Sequence, residues 1–130
     1  MQTRRTFLAV LAGALPVWAG APRRRDGHPE PRPGIDASRV LPASRLGDHP
    51  DAIAVFDMVR DIPQVVDGIR CQCGCSDTPD KYSLLSCFEG TGMARRCEGC
   101  KGQARLAHRL HADGKTLAEI RVAIEREFGG

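Results

Sequence analysis

"RLAHRLHADGKTLAEIRVAIEREF", Arg105 to Phe128, reads as two helices joined by a tight turn. In its second half, Leu117, Ile120, Ile124 and Phe128 recur at helical spacing. Thr116 and Glu119 supply a Thr-x-x-Glu capping box at the start of that helix, and Gly129 ends it. The first half continues a helix that begins near Cys97 and stops at Gly114, a C-cap glycine. So short a connection predicts an antiparallel helical hairpin.

Upstream, "PDAIAVFDMVRDIP" (Pro50 to Pro63) carries a stripe of Ile53, Val55, Phe56 and Val59, a third helix. Pro63 opens a short helical turn through "PQVVDGIR", and "KYSLLSCF" (Lys81 to Phe88) is a short helix bearing Cys87. The expected fold is all-α: a small domain of four to five short helices with a Cys-rich loop, spanning residues 51–130 and ending in the hairpin. Few aromatics and short helices make a marginal core, which cross-links or a metal usually reinforce.

Two segments precede that domain. Residues 1–21, "MQTRRTFLAVLAGALPVWAGA", combine Arg4 and Arg5, a short apolar run and a small-residue cleavage site. This is the pattern of a signal peptide, and the paired arginines followed by "TFL" indicate the twin-arginine export route. The apolar run falls short of the roughly 20 residues that a membrane span needs. No cysteine precedes position 71, so no lipid-anchor motif is present. The expected location is extracytoplasmic, periplasmic or secreted. Residues 22–50 are rich in proline, arginine and glycine without an apolar period, and read as a disordered linker. The arginines at 23–25 read as part of that solvated tail.

Charge narrows the partners. The chain carries a net charge of +3, while residues 51–130 hold 11 Lys/Arg against 12 Asp/Glu. A nucleic-acid-binding domain of this size shows a clear basic excess, so that class is set aside. No Ser-His-Asp pattern, phosphate loop or paired carboxylate is present, which favours binding over catalytic turnover.

The chemistry lies in the six cysteines. "CQCGC" places Cys71, Cys73 and Cys75 in a loop where Gly74 allows a tight backbone approach. Cys97 and Cys100 form Cys-x-x-Cys where a helix begins, on one helical face and at the positive end of the helix dipole. With Cys87 these are the candidate metal ligands: Cys71, Cys73, Cys75, Cys87, Cys97 and Cys100. Four thiolates suit Zn; a larger set suits Cu(I), singly or as a cluster. Two alternatives stay open. A low-pKa Cys-x-x-Cys suits thiol-disulfide exchange, and three inner cysteines can pair with three outer ones in a disulfide-stapled interaction domain, with 15 connectivities for six cysteines. Met93 is a further soft donor near the cysteines. His108 and His111 share a helical face, but His108 lies about 12 Å along the axis from Cys100 and reads as a surface residue. His28 and His49 fall in the expected linker and carry little weight.

Together, "IPQVVDGIRCQCGC", "YSLLSCF", "CEGC" and "GKTLAEIRVAIEREFG" resemble the PCYCGC-motif family of small exported bacterial proteins. The likeness spans nearly all of residues 51–130 and implies a metal-related role. Besides the metal ion, the expected partner is another exported metalloprotein or redox protein. Two departures stand out: Arg70 and Gln72 replace the motif's usual residues, and Lys81 and Tyr82 stand where a histidine is usual. Residues 97–129 are also similar to the thiol-redox subunit of the cytochrome c maturation machinery, which supports the redox alternative.

Overall fold

The computed structural model describes residues 27–74 and 78–129. The expected signal peptide (1–21), the first residues of the expected linker and Cys75 lie outside that range.

The described chain is all-α. Helix α1 spans Pro50–Asp61, α2 Pro63–Asp67, α3 Glu98–Ala112 and α4 Leu117–Phe128. Single turns of 3-10 helix occupy Ala37–Arg39, Ala43–Arg45, Leu84–Phe88 and Met93–Arg96. No described helix is long and apolar enough to cross a membrane.

Local chemistry sets the boundaries. Pro50 and Pro63 each open a helix at the position that tolerates a missing N–H. Ile62, pushed out of the helical region by the proline that follows, separates α1 from α2. At the start of α4 the Thr116 hydroxyl accepts from Glu119 N at 3.2 Å, one half of the expected capping box. The Glu119 carboxylate lies 3.9 Å from Lys115 Nζ. The short segment carrying Cys87 is a 3-10 turn, closed by Ser83 and Ser86 in a reciprocal cap.

Packing follows the apolar stripes. Val55, Phe56 and Val59 of α1, Ala104 and Ala107 of α3, and Ile120 and Ile124 of α4 are all buried. Helix α3 lies between α1 and α4, and α3 and α4 form the expected hairpin. Phe56 meets Phe88 edge to face, with ring centroids 4.8 Å apart. Both rings are fully buried, which supplies much of what a small core needs.

Residues 27–49 correct the expectation of a disordered linker. Ile35, Val40 and Leu46 enter the core, and His28 is fully buried. Arg32 forks onto the buried Asp67 carboxylate, with Nη2–Oδ1 at 2.7 Å, and its guanidinium lies 4.5 Å from the Tyr82 ring centroid. Arg121 donates to Pro29 O at 2.8 Å and to Gly68 O at 2.7 Å. Tyr82 Oη donates to Glu30 O. The backbone of this strap is thus satisfied by side chains of the helical domain.

Candidate metal centre

Three pieces of chain converge on the sulfurs: the loop after α2, the 3-10 turn Leu84–Phe88, and the first turn of α3. The Sγ atoms of Cys71, Cys73 and Cys100 all lie within 4.8 Å of one another. Cys71 and Cys100 are 3.5 Å apart. That is a hydrogen-bonding contact, well beyond the ~2.05 Å of a disulfide, and no disulfide links the described cysteines. Cys87 and Cys97 stand near enough to shift the pKa values of the trio, and Cys100 N donates to Cys97 Sγ at 3.4 Å. Of the six expected ligands, Cys71, Cys73 and Cys100 form the one group close enough to share an ion among the described residues. Cys75 lies outside the described residues.

The five described cysteines form an inner and an outer group. Cys71, Cys87 and Cys100 are no more than 1% exposed, Cys97 is half-buried and Cys73 faces solvent. Gly74 holds the loop open with φ of +81°, a conformation that side-chain-bearing residues rarely take. Gly99, inside Cys-x-x-Cys, makes room for the loop: a Cβ there would stand 2.4 Å from Cys73 Sγ.

Charge is divided among the thiols. The Cys100 S–H, and then that of Cys87, hold the Cys71 thiol down at about 2 against the opposing effect of burial. The same hydrogen bond to Cys71, with Cys87 and burial behind it, pushes Cys100 up. Burial, and then the Cys71 charge, push Cys73 up to about 12. For Cys97, burial opposes ionisation, but the backbone N–H of Cys100 and then the Cys100 and Cys73 thiols outweigh it and lower its pKa. Cys97 is the N-cap of α3, its Sγ accepting from Cys100 N at 3.4 Å. A thiolate in that place satisfies an otherwise orphan helix donor.

Gln103 is a site residue that the sequence analysis did not single out. It is fully buried on α3, and its amide nitrogen donates to Cys73 Sγ at 3.2 Å and Cys71 Sγ at 3.8 Å. Its carbonyl accepts from Gln72 N at 2.9 Å, which ties the Cys-x-Cys loop to the helix. The available signal was a polar side chain three residues after Cys100, on the face shared with the buried Ala107. His28 also acts from a distance. Its Nδ1 accepts from Arg70 N at 2.9 Å, next to Cys71, and its Nε2 faces Glu125 Oε1 at 2.8 Å.

The remaining residues weighed as donors have other surroundings. His108 pairs with Asp61 at 3.0 Å, and His111 is exposed. Met93, 37% exposed, lines a pocket beside Cys97.

The donor set fits a soft ion. Tetrahedral thiolate coordination at about 2.3 Å per bond separates sulfurs by about 3.8 Å; the trio's sulfurs lie within 4.8 Å of one another. An amide N–H of Gln103 faces the sulfurs as outer support. Comparison with models of protein families, with curated proteins and with solved structures returns no match.

Proposed function

We propose that the chain is an exported cysteine-thiolate metal-binding protein that takes up Cu(I) or Zn and holds or hands on the ion. The observation that carries this reading is the convergence of Cys71, Cys73 and Cys100 within 4.8 Å, with Cys97 Sγ accepting from Cys100 N beside them. Cys71 and Cys100 are the inner ligands and Cys73 the solvent-side one. A trio suits Cu(I), and Zn completes four by adding Cys87 or Cys97. Gln103 orients Cys73 and stabilises thiolate charge. The resemblance to the PCYCGC-motif family agrees with this role, and the twin-arginine pattern of residues 1–21 supports export, with cargo loaded before or after crossing.

The decisive experiment is metal analysis of anaerobically purified protein with thiols counted on the same sample. We expect one or more soft ions per chain, thiols that become titratable on chelation, and loss of the metal in Cys71→Ser and Cys100→Ser.

A second reading, thiol-disulfide exchange, is favoured by one feature: Cys97 is half-buried at a helix N-terminus with a lowered pKa. It predicts a metal-free protein with a single readily reducible pair, and Cys71→Ser that retains exchange activity.

A further inference from the structure

A pocket of about 380 Å³ opens beside the sulfur cluster, lined by Thr91, Met93, Arg95, Arg96 and Cys97. Its volume lies in the range of small-molecule sites rather than of flat protein contacts. Cys97 belongs to its wall and also adjoins the cluster, its Sγ accepting from Cys100 N at 3.4 Å. Among the described cysteines it alone has both positions. Two arginines, Arg95 and Arg96, line the same pocket. The Nε of Arg95 is buried and finds no hydrogen-bond partner among the described residues. A buried donor left unsatisfied is costly unless something else occupies it. Met93 adds a partly exposed thioether, a soft donor on the same wall.

These features ask for a ligand that is anionic, small and soft at one end. Two planar guanidinium forks recognise carboxylates, while a thiolate and a thioether recognise a soft metal. We propose that this pocket is the loading port of the metal centre, and that it receives Cu(I) as a complex with a small carboxylate-bearing thiol. The proposal rests on the metal-binding reading and names the form in which the ion arrives.

Transfer is ligand exchange without redox change. The Cys97 Sγ–Cu bond forms, the bond from Cu to the carrier sulfur breaks, and copper remains Cu(I). The carrier leaves as thiolate, taking up the Cys97 proton when Cys97 enters as thiol. From Cys97 the ion passes to Cys73 and Cys100, and then inward to Cys71. Arg95 and Arg96 hold the carrier's carboxylates during the exchange and have no part in the final coordination.

The test compares Cu(I) delivered by glutathione, which carries two carboxylates, with Cu(I) delivered by cysteamine, which carries none. Uptake by the full chain is followed by the rise of thiolate-to-copper absorption under anaerobic conditions. We expect faster uptake from the glutathione complex, slowed by salt, and a loss of about tenfold in that rate in Arg95→Gln/Arg96→Gln. The rate from cysteamine and the final copper content stay as in wild type. Arg96→Gln, at an exposed position, shows part of the same loss without disturbing Arg95 and its buried Nε. Equal rates from both carriers, or a loss in the variants with both, overturns the port while leaving the metal centre standing. Failure to take copper from either carrier overturns both.

Discussion

Gln103 Nε2 stands 3.2 Å from Cys73 Sγ and 3.8 Å from Cys71 Sγ, while its carbonyl holds the backbone of the residue between them. One buried amide thus fixes the loop that bears two candidate ligands and directs positive dipole toward both sulfurs. Gln103→Leu keeps volume and helix propensity but removes both functions. Outer-shell partners of this kind are typically worth 10–100-fold in metal affinity. We expect a loss in that range in competition with a chromophoric chelator, with stoichiometry unchanged. Gln103→Glu reverses the dipole toward the sulfurs and weakens binding further.

Gly99 provides a separate handle on the same loop. Alanine is a better helix former than glycine by about 1 kcal/mol, so Gly99→Ala favours α3 as a helix. Yet its Cβ would lie 2.4 Å from Cys73 Sγ, and the sulfur has to move. The expected outcome is a divergence: metal affinity falls, while the melting temperature of the metal-free protein holds or rises. Parallel loss of both would mean that Gly99 serves folding rather than the position of Cys73.

How far the sequence foretold this arrangement follows from its periodicities. The stripes of α1 and α4 were legible because burial there repeats every three to four residues. Cys-x-Cys and Cys-x-x-Cys were legible because their spacing alone brings sulfurs together. Gln103 was half visible, as a polar residue on the face of Cys100 and Ala107. The strap of residues 27–49 was not legible. Its buried Ile35, Val40 and Leu46 follow neither helical nor strand spacing. Its backbone is satisfied by Arg121, Tyr82 and Gln64, residues far along the chain that nothing local reveals.

That strap makes a stability prediction. Asp67 is fully buried and takes Arg32 Nη2 at 2.7 Å, Arg32 N at 2.8 Å and Ser83 Oγ at 2.7 Å. Arg32→Ala leaves the carboxylate with the backbone N–H and the serine but without its counter-charge. Breaking a buried pair from one side costs 3–5 kcal/mol. Arg32 is 28% exposed, so water can partly replace it, and about 2 kcal/mol is expected in urea unfolding. Lys115→Ala, which removes an ion pair exposed on both sides, changes stability by no more than about 0.5 kcal/mol. Equal effects of the two substitutions would show that the strap contributes nothing to the fold.

Thiol reactivity provides the pH test. Alkylating reagents attack the thiolate, so rate follows both ionisation and access. Cys73 is exposed, but burial of its sulfur and the neighbouring Cys71 charge push it up to about 12. Cys97 is less exposed, yet the Cys100 N–H at its sulfur lowers its pKa despite burial. Cys71 is ionised down to about 2 but only 1% exposed, which shields it. In the metal-free protein at neutral pH, iodoacetamide should therefore label Cys97 before Cys73, although Cys73 is the more accessible. Raising the pH toward 12 increases the Cys73 thiolate fraction, while Cys97, whose pKa is lowered, reaches its full thiolate fraction at lower pH, so the gap narrows. Peptide mapping by mass spectrometry after short labelling pulses reads the order directly. Cys73 labelled first at neutral pH would place the low-pKa thiolate in the loop instead of at the start of α3. Bound metal suppresses both sites, and chelation restores them in the same order.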